Sequence, residues 1–196
     1  MTILDQDFYL ANTTQVAKDL LGKILCVSHK GEIHRARIVE TEAYLGVKDP
    51  AAHSFGDRRT ARTETMYMEG GHSYIYMIYG MYYCLNFVTA TEGTPEAVLI
   101  RGVEPIPTHH PVKKKDLHTN GPGKLCRFYE IDKSQNGVKL WKKTSPLYVA
   151  EDDFKVSPKS IVKAPRIGVD YAGEAALWPL RFYLRDNPFV SKKPKD

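Results

Sequence analysis

The chain has 196 residues, 42% hydrophobic and 26% charged, a composition suited to one soluble domain with its own core. Three cysteines, Cys26, Cys84 and Cys126, stand far apart and odd in number, which argues against a disulfide framework; with no secretory-type start over 1–7 and no long uncharged apolar run, a cytoplasmic protein without a membrane span is expected. The net charge of +5 is uneven: residues 1–102 carry 10 Lys+Arg against 12 Asp+Glu and residues 103–196 carry 18 against 11, so the second half suggests a polyanionic partner, although a merely soluble basic surface has the same composition.

Asn12 or Thr13 can cap a short helix running to Leu21, with Val16, Ala17, Leu20 and Leu21 as its apolar stripe and Gly22 as its stop. Ile24–Val27 reads as a strand, His29–Glu32 as a hairpin turn, and Arg35–Leu45 as the returning strand. Unbroken alternation there puts Ile38, Glu40, Glu42 and Tyr44 on one face and Val39, Thr41, Ala43 and Leu45 on the other. The polar segment 46–65 is loop or short helix and carries Arg58, Arg59 and Arg62. Strands over 74–79 and 82–90 flank Gly80 as a protruding hairpin, and Val98–Arg101 is a further strand. A polar loop from Pro105 to Asn120 contains Lys113, Lys114 and Lys115; Gly121–Lys124 then opens a helix with Pro122 in its first turn and Leu125, Phe128 and Tyr129 as its buried stripe. Leu180–Leu184 is β-like. The expectation is a single α+β domain over 1–196, with helices around a curved, mostly antiparallel sheet.

No metal site is expected, because the cysteines are singletons and His109 and His110 are adjacent rather than at ligand spacing. No phosphate-binding or dinucleotide-binding loop is present, so no cofactor is expected. Lys124 at the helix start can meet a phosphate, or the segment is only a helix start. Two carboxylates on one strand face repel, so Glu40 and Glu42 are either solvated or tuned; Arg101, in an apolar strand, is a natural partner, and Glu42, nearer Tyr44, is the favoured active group. Five tyrosines fall within 74–83. Tyr74 and Tyr76 share a face and can wall a pocket or fill a core, whereas Tyr79 beside Gly80 points outward at a hairpin tip. Asn86 is a polar group at a buried-looking position and needs a hydrogen-bond partner.

Taken in order, Arg37–Gly46, Ala51–Ser54, Tyr74–Tyr82, Leu99–Arg101, Asn120–Leu125 and Leu180–Tyr183 resemble the alkyladenine (3-methyladenine) DNA glycosylase family of the mammalian type, over most of the chain from Leu20 to Ser191. The resemblance implies a compact, monomeric, nucleoid-associated enzyme that flips a damaged purine from double-stranded DNA and hydrolyses its N-glycosidic bond with water, leaving an abasic site. It implies Glu42 as the general base and Arg101 as the group that positions it. Tyr44, His53 and Tyr76 would sandwich the base, and Asn86 would exclude a guanine amino group. Tyr79 would be the wedge, completed by Met81 and Tyr82, while Arg58, Arg59 and Lys124 would meet DNA.

Overall fold

The computed structural model describes residues 1–107 and 118–191; Lys113, Lys114, Lys115, His109 and His110 lie outside the described residues. Strands β1 (Thr2–Ile3), β2 (Ile24–His29), β3 (Glu32–Tyr44), β4 (Ser73–Ile78), β5 (Tyr82–Thr89), β6 (Glu96–Ile106), β7 (Leu147–Glu151), β8 (Ile161–Ala164) and β9 (Arg181–Leu184) form one sheet among the described residues. Its main path runs β1-β7-β2-β3-β6-β5-β4, and β9 joins β8 to β3. Every pairing is antiparallel. Helices α1 (Asp7–Leu10), α2 (Thr13–Asp19) and α3 (Pro122–Phe128) are short, and the architecture is α+β, as expected.

Local signals account for much of this. The Asn12 side chain accepts from Thr14 N at 3.1 Å and Gln15 N at 3.2 Å, capping α2. The β2–β3 turn places Lys30 and Gly31 at φ 50° and 82°, the positive pair that a tight hairpin requires. α2 ends at Asp19, two residues short of the expected Leu21. β6 runs on through Pro105 instead of yielding to a loop there. Proline is tolerated because β5 pairs only as far as Leu99, so Pro105 lies where β6 has β3 on one side and no paired strand on the other.

Strand β3 organises the site. One edge pairs with β2 over its first half and with β9 over Glu40–Glu42; the other pairs with β6. The expected grouping of Ile38 with Glu40 and Glu42 is incorrect. Opposite β6, the register passes from Ile38↔Val103 to Glu40↔Gly102 and then Thr41↔Ile100, leaving Val39 extra on β3 and Arg101 extra on β6. These bulges reverse the facing of the strand. Ala36 and Ile38 lie in the main core before the bulge, Val39 and Ala43 after it.

The main core joins Val16 and Ala17 of α2, Leu20 just beyond its end, and Leu125 of α3 to Ile75, Leu85, Phe87, Val98 and Ile100. The alternate residues of these strands point to the opposite face, where smaller clusters gather around Tyr74 with Met66 and Tyr67, and around Ala51 with Val169 and Tyr44. That second face carries the cavity described below. Gly102 has no room for a side chain: an added Cβ would lie 2.5 Å from the Phe189 carbonyl oxygen and 3.2 Å from Glu40 Oε2. Gly102→Ala is expected to cost about 1–3 kcal/mol, measured as a lowered melting temperature.

Candidate active site

A cavity of about 330 Å³ opens on the second face. Four strands build it by alternation: Tyr44 from β3, Tyr74 and Tyr76 from β4, Cys84 and Asn86 from β5, Leu99 and Arg101 from β6. His53 closes it from the loop after β3, and Ile167 and Tyr171 from the segment after β8. The side chains of Tyr44, His53, Tyr76, Asn86 and Arg101 are therefore brought together, with Tyr79 at the margin.

Glu42 is wholly buried immediately behind Tyr44 and Arg101. Its Oε1 accepts from Ile167 N at 2.8 Å, and its Oε2 accepts from the Tyr44 hydroxyl at 2.9 Å and Arg101 Nη1 at 3.3 Å. Burial pushes the Glu42 pKa above its ordinary 4.5, against the lowering effects of Arg101, the Ile167 N–H and Tyr44. Burial, with the Glu42 charge, also drives Tyr44 well above 10, so its phenol stays protonated and donates.

Glu40 is equally buried but differently used. Oε1 accepts from Arg181 Nε at 2.6 Å, the Ser191 hydroxyl at 2.9 Å and Arg101 Nε at 3.3 Å, and Oε2 accepts from Ser191 N at 2.6 Å. Glu40 ties the C-terminal segment to the sheet. Glu42 faces the cavity wall.

The aromatic groups are mutually braced. Tyr74 and Tyr76 rings lie 5.4 Å apart at 34°, and His53 meets Tyr76 edge-on at 4.5 Å. His53 Nδ1 is 3.0 Å from the Tyr74 hydroxyl. Burial, then the charges of Arg62 and Arg58, bring His53 down to about 4, so the ring is neutral at physiological pH. Asn86 Nδ2 donates to the Tyr74 carbonyl at 3.0 Å, which answers the need for a buried partner.

At the hairpin tip Tyr79 and Gly80 have φ 52° and 68°, and Met81 N donates to the Ile78 carbonyl at 3.2 Å. Tyr79 is 87% exposed and Met81 66%. Met77, also exposed, extends this apolar ridge and was not singled out from the sequence. Tyr82 packs instead against Gly123 of α3 and lines a separate groove with His118, Lys124 and Arg127. Arg58 and Arg62 line a groove that shares His53 with the cavity, whereas Arg59 forms a two-pronged pair with Glu64 at 2.9 and 2.6 Å. Lys124 Nζ donates to Asn120 Oδ1 at 3.1 Å.

Asp49, Arg166, Ile167 and Tyr171 also belong to the site and carry no signal in the sequence that singles them out. Asp49 and Arg166 form a buried ion pair across 117 positions, a separation that no local pattern reveals. Among the described residues no cluster of His, Cys, Asp or Glu could hold a metal ion, and no helix is long and apolar enough to cross a membrane.

A buried carboxylate behind an aromatic cavity, with an exposed aromatic ridge at its margin, is a constellation suited to chemistry on a flat ring taken from a stack. The family model for methylpurine-DNA glycosylase matches residues 7–188, and the chain belongs to that family. A relative from Bdellovibrio bacteriovorus, provisionally named a 3-methyladenine DNA glycosylase, is 64% identical over 97% of this chain and 100% of its own length. Relatives of the same provisional name from Desulfitobacterium hafniense and Clostridium novyi are 48% and 45% identical over 98% of this chain and all of theirs. The protein is accordingly a DNA glycosylase, a hydrolase of N-glycosyl bonds in DNA.

Two substitutions separate scaffold from surface. Glu40→Ala is expected to cost about 3–5 kcal/mol, the penalty for leaving buried cations without their carboxylate. Tyr79→Ala should leave the melting temperature nearly unchanged, because its ring supports no core, while weakening binding to lesion-containing duplex. Thermal unfolding and a duplex-binding titration of both variants test this contrast.

Proposed function

We propose that the protein flips alkylated or deaminated purines, 3-methyladenine among them, out of duplex DNA and hydrolyses the N-glycosidic bond with an activated water. The product is an abasic site in an intact strand, the entry point of base excision repair. The observation that carries this is the Glu42 carboxylate directly behind a cavity walled by Tyr44, Tyr76 and His53. Extrusion costs a few kcal/mol, and stacking on an aromatic returns about 1–3 kcal/mol per base. The exposed Tyr79 ring would fill the vacated stack. A purine alkylated at N3 or N7 is cationic, so tyrosine faces attract it and its ring is already a good leaving group. As the bond breaks, positive charge develops on the sugar; Glu42 stabilises it and takes the proton from water, held in place by Arg101.

Asn86 would meet the guanine 2-amino group. The cavity wall carries no lysine among the described residues, which favours water over a Schiff-base amine as nucleophile. The enzyme would act as a monomer associated with the nucleoid and without a cofactor.

Glu42→Gln is expected to retain affinity for a duplex bearing one 3-methyladenine and to lose excision, read by alkaline cleavage at abasic sites; normal turnover by this variant would sink the assignment. Proton transfer to Glu42 requires its ionised form. Because burial raises its pKa, the wild-type rate should fall with decreasing pH on a limb lying above 4.5, and a limb at or below that value would contradict the role.

A further inference from the structure

Arg166 lies between β8 and the turn at Asp170–Leu177, and its side chain has no exposed surface. Its Nη2 donates to Asp49 Oδ1 at 2.8 Å, and its Nη1 pairs with Asp49 Oδ2. Nη1 also donates to the Ala43 carbonyl at 3.1 Å and Nη2 to the Ala175 carbonyl at 3.3 Å. The guanidinium lies 4.8 Å from the centre of the Tyr44 ring. Asp49 accepts in turn from Leu45 N and Ala51 N, each at 3.0 Å. One cation therefore joins the end of β3, the loop leading to His53, and the segment carrying Ile167. Two of the three donors to Glu42 are sequence neighbours of these contacts: Tyr44 follows Ala43, and Ile167 follows Arg166.

We propose that the Arg166–Asp49 pair is a positioning device for the glycosylase reaction, holding the Tyr44 hydroxyl and the Ile167 N–H on the Glu42 carboxylate. This rests on Glu42 being the base. Buried ion pairs contribute little net stability, because desolvation offsets their attraction, but a two-pronged guanidinium fixes orientation. The other groups that face Glu42 are Arg101 from β6, Glu40 from β3, Tyr76 from β4, Cys84 from β5 and Tyr171. Arg181 of β9 reaches Glu40. Arg101 would keep Glu42 paired when the clamp is loosened, so the effect is a misplaced and more basic carboxylate rather than an unpaired one.

The test is single-turnover excision of 3-methyladenine from a duplex across pH, with melting temperatures, for wild type, Asp49→Asn, Asp49→Glu, Arg166→Lys, Tyr44→Phe and the Asp49→Asn/Tyr44→Phe double variant. Asp49→Asn and Arg166→Lys should lose about ten- to a hundredfold in rate. The acid limb of Arg166→Lys, which keeps the positive charge, should move to higher pH, because fewer donors on a carboxylate favour its protonated form; in Asp49→Asn the uncompensated Arg166 charge acts on Glu42 in the opposite direction, so that variant is read by its rate. Tyr44→Phe should move the limb in the same direction as Arg166→Lys, and Asp49→Asn should change Tyr44→Phe less than it changes wild type. An unmoved limb in folded Arg166→Lys overturns the proposal, whatever the rate. Should Arg166→Lys not fold, Asp49→Glu, which keeps both charges and lengthens the arm, takes its place: a moved limb supports the proposal and an unmoved one overturns it. A wild-type chain inactive on the lesion would instead overturn the assigned reaction.

Discussion

Two carboxylates buried two residues apart on the same strand are the constraint around which the site is arranged. Each would be costly alone in a dry interior, and together they repel. Arg101 lies between them, at 3.3 Å from each, and the remaining demand is divided unequally. Glu40 gains a second arginine and both groups of Ser191. Glu42 gains only a phenol and a peptide N–H. That inequality leaves one carboxylate as a structural tie and the other with raised proton affinity. Because the native Glu42 holds its proton more tightly than the unfolded chain does, it favours folding below pH 4.5, and this contribution is lost as pH rises through its native pKa. The proposed base is thus maintained at some expense of stability, and the surrounding ion pairs keep that expense tolerable.

The elements nearest to local chemistry were legible in the sequence. Asn12 declares the start of α2, Lys30-Gly31 the first hairpin, and Tyr79-Gly80 the exposed tip, because caps and turns depend on a few adjacent residues. Period-two alternation put Tyr74 and Tyr76 on one face and Asn86 at a buried position, and left open whether the tyrosines wall a pocket or fill a core; all three line the cavity. Alternation failed at Ile38, where a bulge breaks the period, and at Pro105, where a proline continues a strand on its unpaired side. β7 and β8 carry no alternating signal strong enough to stand out. Arg166 and Asp49 were invisible for a different reason: their significance exists only once distant segments are brought together. The quoted family segments supplied the expected roles of individual residues, where pattern alone favoured Glu42 over Glu40 only by its nearness to Tyr44.

The margin of the cavity is built on a different principle from its floor. The floor is fixed by buried charges and by aromatic rings in mutual contact. The tip is held by a turn alone, with a tyrosine kept at φ 52° although its ring meets little protein. A bulky residue in that conformation carries a local cost, the kind of strain tolerated where a side chain must project. Nearby, Arg59 is occupied by Glu64, an exposed pair that salt weakens readily, while Arg58 and Arg62 stand over the groove beside His53.

The paired bulges at Val39 and Arg101 resemble a frame correction. Upstream of them β3 presents its even-numbered residues to the helices; downstream it presents the odd-numbered ones. Had the chain kept one frame throughout, Glu40 and Glu42 would point into the helix-packed core of Val16, Ala17 and Leu125. The extra residue on β3 and its counterpart on β6 cancel, so the rest of the sheet keeps its register. Length at this point is therefore a chemical variable: removing one residue from β3 alone would transpose acid and hydrocarbon across the sheet without changing any side chain near the cavity.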